Sequence, residues 1–316
     1  MTFIVVCHIF QTYQNELCYW FNVGVQIFLI ISGFLHSQKE YSKESSLDIL
    51  KKQFKKILLP YYLWLFLVVL LYTFFSPNSL SISSIINSMF CSGSLVGQGH
   101  LWFIPYILFC YIITPYLYWI KNKIIDRTLL QSILLWLAIL GLVLVVSSLY
   151  NSYFRPEILT CYILGYAVAD LFNRFNKIKR KTTILVFLLA LALNVIKICI
   201  LYIYCLDFDG IELIAFSYFK SYSHVFLGLA IFLLLLYYGK KIKYSKIMLY
   251  SDKYSYEIYL VHALFILSPL NLLFWTDVVW INILASVCCT IICSVFLNVI
   301  TAKIESINKK GKPDRL

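Results

Sequence analysis

Three histidines stand in apolar stretches where an ionisable side chain needs a reason. They are His8 in Ile4-Val5-Val6-Cys7-His8-Ile9-Phe10, His100 beside Gly97, Gly99 and Trp102, and His262 at the end of Tyr254-Ser255-Tyr256-Glu257-Ile258-Tyr259-Leu260-Val261-His262. Imidazole has an unperturbed pKa of about 6.5 and is the usual general base near neutral pH. The three could line one buried polar cavity and take a proton there. Each could instead be a neutral histidine hydrogen-bonded between helices. Lys52, Lys55 and Lys56 form a second candidate, at the entry to an apolar run. Ammonium groups bind phosphates as point charges, so these lysines could seat a phosphate-bearing donor. Lysines that flank a span also snorkel to headgroups and set topology, and on charge alone that role is the default. His36, at the start of a basic loop, is expected to be solvated, and His224 belongs to no motif. Cys288, Cys289 and Cys293 include an i, i+4 pair but lack a nearby histidine or acid, so no metal site is expected.

The elements that must position these residues are apolar throughout. Of 316 residues, 61% are hydrophobic and 13% charged, too little polar surface to cover a water-soluble domain. The composition predicts an all-α polytopic transmembrane bundle of about ten helices, forming a single domain over 1–316. Apolar runs of roughly 18 to 22 residues suit helices rather than barrel strands. After the first run, spans are expected at about Trp20–Leu35, from Ile57 to Ser76, from Gly97 to Ile120, and at Thr128–Tyr150, Pro156–Phe172, Thr182–Leu206, Ser221–Tyr238, Tyr254–Leu270 and Val278–Ile300. Between Pro77 and His100, apolar residues at three- and four-residue steps predict a short interfacial helix with a serine-rich opposite face.

The net charge of +12 reflects topology rather than a nucleic-acid partner. Segments 36–56, 121–127, 173–181, 239–253 and 301–316 hold 6, 3, 5, 5 and 5 lysines and arginines, leaving only Arg155, Lys197 and Lys220 elsewhere. Two spans separate successive basic segments, so the positive-inside rule puts all five, including the C-terminus, in the cytoplasm. His262 then lies about 12 Å along a helix that starts at the cytoplasmic face. No signal peptide is expected at the N-terminus.

Five strings resemble acyltransferase family 3 membrane proteins in content and order: the first-run His8, Phe28-Leu29-Ile30-Ile31-Ser32-Gly33-Phe34-Leu35, Lys52-Gln53-Phe54-Lys55-Lys56-Ile57-Leu58-Leu59-Pro60-Tyr61, His100-Leu101-Trp102-Phe103, and Ser255 to His262. The resemblance spans essentially the whole chain. It implies transfer of an acyl group, usually acetyl from cytosolic acetyl-CoA, to a hydroxyl of a surface carbohydrate or lipid-linked glycan in a bacterial cytoplasmic membrane. Acyl-CoA is then a donor substrate and not a tightly bound cofactor. The glycan and the bilayer are the other partners, with polysaccharide-assembly proteins as further candidates. His8 matches the family's first-span histidine, a proposed general base or acyl relay. Lys52 with Lys55 or Lys56 corresponds to the basic pair facing the CoA phosphates, where arginine is usual. His100, Trp102, Tyr259 and His262 fall in motifs assigned to the acceptor side. The family's arginine one helical span upstream of His8 falls before Met1, so the first helix is expected to be shortened at its N-terminus. The rival reading is a glycan or lipid-linked-precursor transporter or flippase, in which the same histidines serve proton coupling.

Overall fold

The computed structural model describes residues 1–39, 43–124, 128–149, 155–175, 180–202, 208–239, 243 and 245–310. Tyr150 and Leu206, the expected ends of two spans, and parts of the five basic segments lie outside the described residues. In chain order the helices are α1 (Thr2–Thr12), α2 (Cys18–Phe21), α3 (Gly24–Ser37), α4 (Lys43–Phe75), α5 (Ile82–Met89), α6 (Phe103–Ile124), α7 (Leu129–Leu149), α8 (Pro156–Phe175), α9 (Arg180–Tyr202), α10 (Gly210–Gly239), α11 (Lys246–Lys253), α12 (Ser255–Ile266) and α13 (Val279–Lys310), with 3-10 turns at Pro77–Ser79 and Gly99–Trp102. No strand occurs among the described residues. Seven helices there are long and apolar enough to cross a membrane. Helices satisfy their backbone groups internally, as hydrocarbon demands. The protein is an integral membrane, all-α helix bundle.

Several expectations need correction. Lys52, Lys55 and Lys56 are not at the end of a loop, because α4 begins at Lys43 and carries them on its first turns. α10 starts well before Ser221, since Ile211, Leu213, Ile214 and Phe216 continue the apolar run and an exposed Lys220 does not break it. The expected span Tyr254–Leu270 is shorter, because α12 stops at Ile266. Pro269 disfavours helical backbone at Ser268 and has no N–H to give. The chain turns there instead, with the Ser268 hydroxyl donating to the Leu264 carbonyl and Leu272 N–H donating to the Phe265 carbonyl at 2.9 Å. α8 is helical as expected but is not among the seven apolar spans, and it carries Glu157, Asp170 and Arg174. The short helix expected between Pro77 and His100 exists as α5, capped reciprocally by Ser81 and Ser84, with Ile82, Ile86, Met89 and Phe90 exposed.

The chain folds as two compact units, each discontinuous in sequence. The first comprises Met1–Phe21, Leu47–Leu108 and Tyr244–Leu316. Here α13 lays a buried stripe of Ser286, Thr290 and Ser294 along α12, each hydroxyl back-bonded to the carbonyl four residues earlier. Asn298 donates to Glu257 at 2.8 Å on the same seam. Asn282 ties the 267–277 connection down, donating to the carbonyls of Leu273 (2.9 Å) and Thr276 (2.7 Å).

The second unit comprises Asn22–Ser46 and Phe109–Lys243. α3 and α8 cross where Gly33 meets the Tyr162 carbonyl and Gly165 meets the Ile30 carbonyl, a backbone approach that leaves no room for side chains. α10 packs on α3 through Gly228 against Gln26, and α7 is tied to α8 by Trp136 donating to Asp170 at 3.1 Å. His36 is not solvated as expected: it is buried and stacked on Tyr111 with ring centroids 4.8 Å apart.

Candidate active site

α1 is an 11-residue helix that burial of Ile4, Cys7 and Ile9 holds against the first unit. Ile9 joins Ile266 and Leu273 in one apolar cluster. The Thr12 hydroxyl lies 3.2 Å from the Ile266 carbonyl, and the Tyr13 hydroxyl donates to the Leu273 carbonyl at 2.8 Å. These contacts set α1 beside the end of α12, one turn beyond His262, so His8, one turn back from Thr12, comes level with it.

The three motif histidines do converge. The His8 and His262 rings stack with centroids 5.3 Å apart, His100 and His262 meet edge-on at 4.8 Å, and His8 and His100 are 6.4 Å apart. His262 is fully buried, His100 is 7% exposed and His8 is half-buried, so His8 is the accessible member.

Hydrogen bonding assigns the ring protons. His262 Nδ1 lies 2.8 Å from the Tyr259 carbonyl and 3.0 Å from that of Ile258. Carbonyls only accept, so Nδ1 carries the proton and Nε2 has the lone pair. That Nε2 is buried with no partner among the described residues. His8 Nδ1 lies 2.9 Å from Gln11 Oε1, which by the same reasoning leaves the His8 Nε2 lone pair available. Neither His100 ring nitrogen has a partner among the described residues. A hydroxyl entering this cluster therefore meets proton acceptors at His8 and His262.

Tyr259 joins the cluster from α12: its hydroxyl donates to the His100 carbonyl, and its ring stands edge-on to that of His100 at 5.1 Å. The rest of the loop that presents His100 is held by a row of α4 side chains. Tyr61 donates to the Ser88 carbonyl, Tyr62 to Met89 at 3.1 Å, Tyr72 to Val96 at 2.7 Å, and Trp64 to Gln98 Oε1 at 3.4 Å. Gly97 has φ +70°, and an added Cβ would strike the Ser268 backbone, so only glycine fits the turn. Trp102 stands further out, its ring edge-on to Phe103 (6.1 Å) and Tyr106 (5.7 Å).

Lys52, Lys55 and Lys56 are exposed on α4 and not part of the histidine cluster. They are nevertheless connected to it, because Tyr256 on α12 donates to the Ile57 carbonyl at 2.9 Å. The lysine turn thus sits beside the first turn of α12, and His262 follows about 9 Å further along that helix. Among the described residues no histidine, cysteine or acid group is arranged to hold a metal ion.

Sequence reasoning missed Gln11 and the α4 row of Tyr61, Trp64 and Tyr72 with Gln98. Gln98 stood inside the glycine-flanked string before His100, a signal that could have singled it out. No curated protein and no solved structure matches the chain. The family model for the acyltransferase domain of acyltransferase family 3 matches residues 1–299, nearly the whole chain and every residue of the histidine cluster, and the protein belongs to that family.

Proposed function

We propose that the protein is a membrane-bound O-acyltransferase that moves an acyl group, acetyl in the simplest case, from cytosolic acyl-CoA to a hydroxyl of a surface or lipid-linked carbohydrate in a bacterial cytoplasmic membrane. The observation that carries this reading is the half-buried His8, its Nδ1 engaged by Gln11 and its Nε2 free, backed by two further imidazoles. His8 Nε2 takes the proton of the acceptor hydroxyl as that oxygen attacks the thioester carbonyl. The tetrahedral intermediate collapses with cleavage of the C–S bond, and the thiolate recovers the proton from His8. The ester and free CoA are the products. His100, His262, Tyr259 and Trp102 shape the acceptor side. Lys52, Lys55 and Lys56 face the CoA phosphates from the cytoplasmic end, and the C-terminus and basic segments share that side.

Radiolabelled acetyl-CoA incubated with membranes containing or lacking the protein tests this directly. Label appearing in glycan only when the protein is present is the expected result; glycan export without label overturns it in favour of transport. Charge removal at the lysines gives a separable outcome. Lys52→Gln/Lys55→Gln/Lys56→Gln is expected to raise KM for acyl-CoA roughly 10-fold or more, with kcat little changed, because these groups bind a part of the donor that does not react. An unchanged KM in normally inserted protein would assign the lysines to topology alone.

A further inference from the structure

Arg155, Lys197 and Lys220 are the cations that the topology rule leaves over, and all three belong to the second unit. Lys197 is the unusual one. It is 2% exposed within the apolar helix α9, where an ionisable group is costly. Its surroundings form a built site. Asn194 Nδ2 donates to the carbonyls of Ser223 (2.8 Å) and Ala190 (2.9 Å), which turns Asn194 Oδ1 toward Lys197, and Lys197 Nζ donates to it at 3.0 Å. His224 Nε2 lies 2.8 Å from the same Nζ. An ammonium only donates, so His224 accepts here and is neutral.

Two of the three N–H groups are thus spent on neutral acceptors. No carboxylate lies within ion-pair distance of Lys197 among the described residues. The charged side chain acting on it is another cation, Lys220, one turn before His224 on α10 and exposed. Among the described residues this buried cation is answered by a second cation and by neutral partners locked in place, with no carboxylate paired to it. At about 1.5 Å per residue, Lys197 lies about 25 Å along α9 from Arg180, toward the end opposite the basic segment 173–181. Thr160 and Tyr222, 3.0 Å apart, bring Arg155 to the same end of this unit.

We propose that Lys197 and Lys220 bind an oxyanion, the phosphate or carboxylate of the acyl acceptor, entering past exposed Lys220 and taking the third N–H of Lys197. The oxyanion site stands on this geometry; its assignment to the acceptor rests on the acyltransfer reading. The acceptor is accordingly an acidic glycan, or a glycan on a phosphate-bearing lipid carrier, and it approaches the end of α9 opposite Arg180.

The test is the thermal unfolding midpoint of purified protein in detergent, with chloride replaced at equal ionic strength by pyrophosphate or by glucuronate. Lys52→Gln/Lys55→Gln/Lys56→Gln serves as the background so that the α4 lysines do not contribute. A rise of roughly 2–4 °C is expected with at least one anion. Pyrophosphate acting more strongly indicates a phosphate carrier, and glucuronate an acidic sugar. Lys197→Met is expected to unfold higher than its parent in chloride, because a buried uncompensated charge is gone, and to lose the anion-dependent rise. A merely structural lysine would give the reverse, a lower midpoint in chloride. No rise with either anion, or a rise that survives both Lys197→Met and Lys220→Gln, overturns the proposal. His8→Ala should keep the rise while losing transfer, so failure of the oxyanion site and failure of the acyltransfer reading are read separately.

Discussion

His8→Ala membranes are expected to transfer acyl groups about 10²–10⁴-fold more slowly than wild type, the usual contribution of a positioned general base. The loss should fall on kcat, because His8 offers a lone pair to the reacting proton in the proposed mechanism and the lysines proposed to seat the donor are on another helix. His8→Gln separates chemistry from packing. Its amide has similar reach and can still meet Gln11, but it has no basic nitrogen, so it should be as slow as the alanine variant while leaving the unfolding midpoint near that of wild type. Acyl-CoA binding, measured by protection of the purified protein against heat, should be retained in both. Full transfer by either variant would remove His8 from the chemistry.

The largest effect on stability is expected at the α3–α8 crossing. Gly33→Leu puts a side chain where the Tyr162 carbonyl already stands, and Gly165, whose own Cβ would meet the Ile30 carbonyl, offers no relief from the other side. Overpacking commonly costs 1–3 kcal/mol, and backbone cannot swing away as a side chain can, so about 3 kcal/mol or more is expected. The protein should fail to accumulate or should unfold many degrees lower in a detergent melt. Gly141→Ala is the matched control: nothing lies within 4 Å of an added Cβ there, and replacing a mid-helix glycine should be neutral or stabilising by roughly 0.5–1 kcal/mol. Equal behaviour of the two variants would mean that the crossing does not depend on close backbone approach.

Much of this was legible in the sequence because the bilayer simplifies the problem. Apolar length predicted the helices, and the expectation that His8, His100 and His262 meet in one cavity agrees with their ring contacts. What escaped was polar detail inside apolar runs. Tyr61, Trp64 and Tyr72 count as hydrophobic in any periodicity, yet each donates a hydrogen bond that shapes the loop before His100. The break at Ser268-Pro269 lies within an unbroken apolar profile, so hydropathy extended α12 past its end. His36 sits in sequence beside lysines but is stacked on Tyr111, and Lys197 and His224, far apart in the chain, share no motif. Hydropathy sees the average of a window, whereas a hydrogen bond is decided by one atom.

The contact of Thr12 with the Ile266 carbonyl joins positions 254 apart in the chain. On the ribosome, at about 5–20 residues per second, α1 is made well before α12 and waits on the order of 13–50 s for it. During that interval α1, an apolar helix of 11 residues and too short to cross a bilayer alone, is without the helix it packs on. A nascent chain released before α12 would therefore lack the stacking of His8 on His262, and with it the assembled histidine cluster.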